Sequence, residues 1–350
     1  MFTTLGTTGR LGPTTLGNHY RGQDHEHLVT LHDGIQHFTV PETGAYNVVA
    51  AGETLKILVG QEGVKDRGDW GLGGWGAGGG GGTFVTRRDN KPLIIAGGGG
   101  GGGLGLTTHN SLCDGTVSTT GNKSPGEAGC SGGSNGQGAT EWKGNAMGGG
   151  GGGLLTDGGS SRRYGGDSCQ SGGEGGKAFV NGGVGGRWSC VFGVDGRLVI
   201  SGDNADGGFG GGGGGYGSFG GGGGGGGYSG GGRGEYRVSN GGGGGGGSFN
   251  SGTDTSGKDG ANNGPGSSVS GNLLDAIGLF LTGNIKIRST LSRRRSGRNS
   301  DNSDLSTSEV SRGMIPTLVL QKALQLQEAD AAIDSSAPQL NVFADVAGQK

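Results

Sequence analysis

Short apolar and alternating runs occupy much of the first hundred residues. Six runs have the length and residue types of β-strands: Leu28–Leu31, Ile35–Val40, Ala45–Ala50, Leu55–Gly60, Thr83–Thr86 and Pro92–Ala96. In the second run, Ile35 and His37 alternate with Phe38, which is typical of a sheet with one face partly exposed. The polar turn Arg87–Lys91 separates the last two runs, so they are predicted to form a hairpin.

Solid blocks of glycine alternate with short strands further along the chain. The blocks are Gly78–Gly82, Gly97–Gly103, Gly148–Gly153, Gly210–Gly215, Gly220–Gly227 and Gly241–Gly247. Strands are also predicted at Ala178–Val180, Trp188–Phe192 and Leu198–Ile200. A glycine block has no side chain to bury and loses much backbone entropy, so ordinary packing cannot order it. We expect the blocks to form extended threefold helices that resemble polyproline II and bond amide to carbonyl with their neighbours.

Composition excludes a conventional hydrophobic core for the whole chain. Glycine accounts for 97 of 350 residues and only 29% of residues are hydrophobic, whereas typical domains have about 7% glycine. A collagen-like helix would need glycine at every third position and abundant proline, but this chain has solid blocks and seven prolines. Flexible disorder of the glycine-rich part stays open as an alternative. The interleaved strands favour an ordered, all-β domain.

The charge gives no reason to expect a nucleic-acid partner. The formal net charge is −2, and only Arg233 and Arg237 interrupt the blocks between residues 207 and 247. RNA-binding segments of this composition need arginines scattered through the glycines. Met1–Gly6 lacks the basic start and apolar core of a signal peptide, and the longest apolar run, Leu273–Leu281, is too short to span a bilayer. The sequence therefore predicts neither a signal peptide nor a membrane span within this chain.

The chain has four cysteines, Cys113, Cys130, Cys169 and Cys190. They allow two disulfides in three connectivities. An even count in a core-poor domain mildly favours an oxidising compartment, and four free thiols are the alternative.

Catalytic motifs carry little information against a glycine-rich background. The pattern Gly-x-Ser-x-Gly occurs at Gly129–Gly133, Gly132–Gly136 and Gly227–Gly231, but no match leads from a strong strand into a helix. The sequences Gly176-Lys177-Ala178 and Gly257-Lys258-Asp259 lack the hydroxyl of a nucleotide-binding loop. We therefore predict no catalytic and no cofactor-binding residue, and we expect no cofactor.

One cluster, His25-Glu26-His27, has metal-ligand chemistry. On a strand, His25 and His27 would share one face and could share a metal ion. The alternative, a polar loop before the strand at Leu28, is favoured, so no metal ligand is predicted. The tryptophans Trp70, Trp75, Trp142 and Trp188 could anchor a binding surface or cap the glycine blocks.

The carboxyl-terminal region has a different composition. Residues 271–312, which include Arg293–Arg295, are predicted to be a partly disordered basic linker. Residues 313–334 are predicted to contain an amphipathic helix that starts near Pro316 and docks on a partner or on the domain itself. Residues 335–350 are predicted to be a disordered tail.

An ordered series of motifs over residues 1–270 resembles the glycine-rich extracellular domain of the anaplastic lymphoma kinase and leukocyte tyrosine kinase receptors. The series comprises Gly6-x-x-Gly9-x-x-Gly12-Pro13-Thr14, Gly34-Ile35-Gln36, Val40-Pro41-x-Thr43-Gly44-x-Tyr46, Leu58-Val59-Gly60-Gln61-x-Gly63, the glycine blocks beside Thr83-Phe84-Val85 and Pro92–Ala96, and Ser248-Phe249-Asn250-x-Gly252. Its specificity lies in the order, since no single motif is distinctive.

The resemblance implies both a fold and a function. The implied fold is a β-sandwich similar to tumour necrosis factor combined with a bundle of polyglycine II helices. The implied function is a non-catalytic module that binds a small basic cytokine on the extracellular side of the plasma membrane and dimerises with its ligand. The ligand-contacting residues do not transfer from the family motifs individually, so they stay unidentified.

Several departures from the family limit this interpretation. Leu5 and the region of Leu16–Asn18 occupy positions where vertebrate members have a cysteine pair, and the connection from Ala50 to Glu53 is shortened. The family's adhesion modules, membrane span and kinase domain are missing from this chain, so it is predicted to be a fragment of a larger receptor. Enzyme activity of the whole protein stays open for the same reason. The alternative is a stand-alone structural or adhesive glycine-rich protein.

Overall fold

A six-stranded antiparallel sheet is the main regular element of this protein. The computed structural model describes residues 2–41, 52–64, 76–103, 109–126, 129–143, 148–161, 172–188, 191–192, 198–199, 205–216, 220–235, 241–252, 256–262 and 345–347. All of them belong to one unit, formed by Met1–Ile285 and Val342–Lys350. The predicted strand Ala45–Ala50, the linker 271–312 and the helix within 313–334 lie outside the described residues.

The sheet consists of strands β1–β5 and β8, in the order β1-β2-β3-β4-β5-β8, with every pair antiparallel. Its strands are β1 Val29–His32, β2 Ile35–Thr39, β3 Thr54–Leu58, β4 Thr83–Arg87, β5 Pro92–Ala96 and β8 Phe249–Asn250. Two further pairs are β6 Val191–Phe192 with β7 Leu198–Val199, and β9 Lys258–Asn262 with β10 Asp345–Ala347. Three-residue 3₁₀ turns occur at Glu26–Leu28, Ser111–Cys113 and Phe179–Asn181. The all-β class predicted from the sequence is confirmed for these residues.

Alternation along the strands gives the sheet two buried apolar faces. One face packs against the amino-terminal segment, with Phe38, Leu55 and Val85 covered by Phe2, Leu5 and Tyr20. The opposite face packs Ile35, Leu58, Phe84 and Ile95 against Leu154, Phe179 and Phe209, which lie in the glycine-rich part of the chain. The rings of Phe84 and Phe179 stack with centroids 4.9 Å apart. The sheet thus joins an ordinary apolar core to the glycine segments.

Hydrogen bonds among the glycine segments follow a three-residue step. In Gly220–Gly227, successive amides donate in turn to three different neighbours, so every third residue returns to the same one. The donor and acceptor pairs are Gly222–Gly241 and Gly225–Gly244, Gly223–Ala77 and Gly226–Gly80, and Gly224–Gly149 and Gly227–Gly152, with N···O distances of 2.9–3.2 Å. The carbonyls of the same segment accept hydrogen bonds from three other segments. The donors are the amides of Gly98 and Gly101 in the first segment, of Gly213 in the second, and of Gly231 and Gly234 in the third.

Six segments therefore surround Gly220–Gly227. We call these six segments, together with Gly220–Gly227 itself, the glycine lattice; it comprises residues 76–82, 97–103, 148–153, 207–215, 220–227, 230–234 and 241–247. Its centre has no room for a side chain, because a Cβ added at Gly224 would lie 2.0 Å from the carbonyl oxygen of Gly231. Almost all lattice residues are buried. Backbone polar groups that are buried need partners, and the neighbouring segments supply them.

One sequence prediction differs from the structure. The sequence predicts a strand over Ala178–Val180, but the structure has a 3₁₀ turn at Phe179–Asn181 with Ala178 as its cap. The turn forms because the Asp157 carboxylate accepts from the Ala178 amide and from the Asn181 side chain, both at 2.8 Å, and Phe179 packs in the core. Within the predicted tail 335–350, Asp345–Ala347 pairs in parallel with β9, and the disorder of the tail stays a prediction.

Candidate recognition cleft

A cleft with a volume of about 660 Å³ opens where the amino-terminal segment meets the glycine lattice. Its walls come from four separate parts of the chain. They comprise Thr8–Leu11, Val64, Arg187, Trp188 and Asp206. Long charged and aromatic side chains are scarce in this chain, so their convergence on one concave surface marks a candidate ligand site.

The amino-terminal wall is fixed to the glycine lattice by backbone hydrogen bonds. The Phe209 amide donates to the Gly9 carbonyl at 2.8 Å, and the Gly185 amide donates to the Arg10 carbonyl at 2.9 Å. The chain passes this point at Gly9, whose φ of +95° lies in a region that L side chains rarely adopt. Because these bonds hold the backbone of the wall, the cleft is formed before any ligand binds.

Asp206 organises the charged part of the cleft. Its side chain is only 8% exposed, and its Oδ1 accepts from the Trp188 amide at 2.7 Å. Arg10 Nε lies 3.8 Å from the other carboxylate oxygen and donates to the Gly185 carbonyl at 3.1 Å. The carboxylate therefore orients Trp188 and sits beside a guanidinium, which reduces the cost of burying its charge.

Three side chains of the cleft can contact a ligand, and they are one apolar, one aromatic and one cationic side chain. The Leu11 side chain is 57% exposed, although it is large and hydrophobic. Trp188 is half-buried and Arg187 is exposed, while the Arg187 backbone amide donates to Glu174 Oε2 at 3.1 Å. Tryptophan and arginine are enriched among the residues that dominate binding energy at protein interfaces. The chemistry of the cleft suits non-covalent anchoring of a partner.

His25 and His27, the histidines of the candidate metal cluster that the sequence analysis disfavoured, do not share a strand face. His25 and His27 would share a face only on a strand, whereas Glu26–Leu28 forms a 3₁₀ turn. His25 is 1% exposed and packs beside Tyr20, with ring centroids 4.9 Å apart, while His27 is exposed. Within the described part of the chain, no group of three or more His, Cys, Asp or Glu side chains is placed to hold a metal ion.

Cys113 and Cys130 are buried free thiols, so neither takes part in the two disulfides that the cysteine count allows. Burial, helped by the adjacent Asp114, raises the pKa of Cys113 to about 12. Burial also raises the pKa of Cys130. A thiol that stays protonated is a poor nucleophile and resists oxidation, so both cysteines can persist as thiols in an oxidising compartment. Cys169 and Cys190 lie outside the described residues.

Sequence reasoning missed the charged residues that organise the glycine-rich part. Asp206 has no local motif and derives its role from contacts with Arg10 and Trp188. Arg233 is 1% exposed and donates from its terminal nitrogens to the carbonyls of Ser160 and Thr140 at 2.8 and 3.3 Å. A single arginine inside a run of glycines was the available signal for such a role, since a lone buried charge needs specific partners.

The comparisons with family models and with curated proteins find no relative of this chain. No family model matches it, and no curated protein matches it significantly. Among the described residues, none of the helices is long and apolar enough to cross a membrane.

Proposed function

We propose that this chain is a non-catalytic recognition module that binds a protein ligand, as the cytokine-binding ectodomain of a receptor tyrosine kinase does. The observation that carries the proposal is the preformed cleft, in which exposed Leu11 and Arg187 and half-buried Trp188 lie beside a fixed Arg10–Asp206 pair. A rigid site with large apolar and aromatic groups loses little conformational entropy when a partner binds.

The glycine lattice supports a discrete module over an adhesive or matrix protein. Each inner segment bonds to other segments of the same chain, and the lattice residues are largely buried. A protein that assembles through its glycine blocks would need those amides and carbonyls to be free at its surface. We therefore expect the chain to stay dispersed and to bind its partner to saturation.

The finer architecture proposed here has two parts. The glycine segments form a bundle of polyglycine II helices, which the three-residue step of their hydrogen bonds supports. The six-stranded sheet forms one layer of a β-sandwich similar to tumour necrosis factor, which its antiparallel order and two covered faces support.

The resemblance of residues 1–270 supplies the ligand class and the setting. The ligand is a small basic cytokine, the module lies on the extracellular side of the plasma membrane as part of a larger receptor, and ligand binding produces a dimer. The protonated state of Cys113 and Cys130 is compatible with that setting. The ligand class, the cellular setting and the dimer rest on the resemblance. The cleft is the candidate binding site for that ligand.

Binding to an immobilised sample of the full chain tests the function. A recombinant basic cytokine of the class bound by the resembled receptors should bind at a defined stoichiometry. The double variant Arg187→Ala/Trp188→Ala should weaken binding at least about tenfold, because it removes a guanidinium and an indole from the cleft. Leu155→Ala, a change at an exposed residue outside the cleft lining, is the matched control and should bind as the parent chain does.

Two outcomes would contradict the proposal. Light scattering that shows unlimited self-association with rising concentration would favour the structural or adhesive class. Equal cytokine binding by the cleft variant and its control would remove the cleft from the site. The polyglycine helices are tested separately by hydrogen exchange, since rapid exchange of the amides of Gly222–Gly227 would be incompatible with their bonded arrangement.

A further inference from the structure

The turn between β1 and β2 brings together two histidines that are not adjacent in sequence. In the β1–β2 register His32 pairs with Ile35 and Thr30 pairs with His37. Paired residues share a face, and positions two apart on a strand do so as well. His32 and His37 are therefore diagonal neighbours on one face of the sheet, and their ring centroids lie 5.3 Å apart with 59° between the ring planes.

Both imidazoles are available for a ligand. His32 is exposed and His37 is half-buried. In the described part of the chain, neither ring forms a hydrogen bond or an ion pair with another side chain.

We propose that His32 and His37 together bind one transition-metal ion of the Zn²⁺, Ni²⁺ or Cu²⁺ class. In a tetrahedral site each ligating nitrogen lies about 2.0–2.1 Å from the metal, so the centres of two imidazoles on one ion lie about 5 Å apart. The observed ring separation of 5.3 Å is close to this value. Imidazole suits these ions, whereas Ca²⁺ and Mg²⁺ prefer oxygen ligands.

The charges around the pair define what completes the coordination. Lys56 lies directly across from His37 on β3, and its Nζ donates to Asn90 Oδ1 at 2.7 Å. Arg88 lies in the exposed turn after β4, and Asp33 is the only carboxylate in the turn between His32 and Ile35. Two histidines leave two tetrahedral positions open, and the neighbouring cations favour water or an anionic ligand there. The site would thus be a surface chelate that a carboxylate from a partner can complete.

Metal titration of the full chain tests this inference. Isothermal titration with Ni²⁺ and Zn²⁺ in a weakly coordinating buffer should show an ion site that is lost in His32→Gln/His37→Gln. The single variant His32→Gln changes an exposed side chain and should weaken the site at least about tenfold, because it removes one of two ligands. The matched control His19→Gln/His27→Gln also removes two exposed histidines and should retain the site.

The pH dependence provides a second readout. Affinity should fall as the pH is lowered, because protons compete with the metal for the imidazole nitrogens. Near-ultraviolet circular dichroism should be the same for all variants. Retention of the site in His32→Gln/His37→Gln, or its equal loss in His19→Gln/His27→Gln, would overturn the proposal. So would binding that strengthens as the pH falls.

Discussion

The antiparallel sheet and the glycine lattice both have a buried interior, but side chains fill the interior of the sheet and backbone fills that of the lattice. In the sheet, side chains such as Phe84 and Ile94 fill the space, and both are at most 1% exposed. In the lattice, backbone lies directly on backbone, and Gly220–Gly227 bonds to six neighbouring segments. The comparison teaches that a chain with 29% hydrophobic residues can still bury a large interior.

The two regions also differ in how their stability accumulates. A buried aromatic side chain contributes several kilocalories per mole on its own. A backbone hydrogen bond contributes only about 0.5–1.5 kcal/mol net, while ordering one residue costs about 1–2 kcal/mol. The lattice can therefore be stable only as a whole, because no single segment returns the entropy that it loses.

The largest expected effect comes from a methyl group at the centre of the lattice. In Gly224→Ala the new Cβ would lie 2.0 Å from the Gly231 carbonyl oxygen, and backbone on both sides prevents relaxation. We expect destabilisation of more than about 5 kcal/mol, so that the chain does not fold. Chemical denaturation followed by circular dichroism measures it.

Gly102→Ala is the matched control within the same lattice. An added Cβ at Gly102 meets nothing within 4 Å, so the change should be neutral or stabilise by up to about 1 kcal/mol through the unfolded state. If Gly224→Ala folds with parental stability, the two regions do not differ in the way described above.

In the sheet, Phe84→Ala should cost about 3–5 kcal/mol, because it leaves a cavity where the ring stacks on Phe179. Phe84→Leu should recover most of that loss, since cores tolerate apolar replacements of similar volume. Denaturant midpoints of the two variants measure the difference. Equal loss in both would mean that the sheet is as intolerant of side-chain change as the lattice.

Arg233 tests whether one side chain matters inside the lattice. Arg233→Met should cost about 2–4 kcal/mol, because the buried carbonyls of Ser160 and Thr140 lose their donors. Arg233→Lys should recover less than half, since an ammonium lacks the fork that reaches two acceptors. Arg88→Met, at an exposed arginine, should change stability by less than about 0.5 kcal/mol. A neutral Arg233→Met would show that the lattice needs only its backbone.

The smallest expected effect is at Asp157, whose carboxylate fixes the 3₁₀ turn that holds Phe179 against the sheet. Burial alone would raise the pKa of Asp157, but hydrogen bonds from the Ala178 amide, Asn181 and Lys177 outweigh it and hold the pKa below its usual range. A carboxyl with a depressed folded pKa stabilises above its unfolded pKa of about 3.9, and this contribution is lost as the pH falls below that value.

Asp157→Asn should therefore lower the free energy of unfolding by about 1 kcal/mol at pH 7, a small value because a third of the side chain is exposed. The difference from the parent chain should shrink as the pH is lowered from 7 to below about 3.9, toward the depressed folded pKa. Denaturation at both pH values checks this, and a difference that grows on acidification would contradict the assignment of the three donors.

The strands of the main sheet could be predicted because their signal is local. Alternation and β-branched residues located β2, β4 and β5 to within a residue or two, and the hairpin around Arg87–Lys91 is present. Phe179 was placed in a strand because Asp157, which fixes the local turn, lies more than 20 residues away. The hydrophobic pattern of a short stretch contains no information about a hydrogen-bond partner that far along the chain.

From the glycine blocks in the sequence, hydrogen bonding between segments could be predicted, but which segment bonds to which could not. Any block could pair with any other, since glycines carry no side chain to set a register, and their neighbours follow from the whole assembly. The cleft was equally hidden, because Arg10, Trp188 and Asp206 are brought together only by the fold. The polyglycine helices, the sandwich and the ligand class stay predictions.

The three-residue step of the lattice also limits how the length of this chain can vary between related sequences. Inserting or deleting three glycines in Gly220–Gly227 would return every later amide to its present neighbour. Inserting one or two would rotate the bonding of the rest of the segment by a third or two thirds of a turn, toward the wrong segments. Blocks in related genes should therefore differ in length by whole triplets of residues, and their glycine codons should vary mainly at the silent third base.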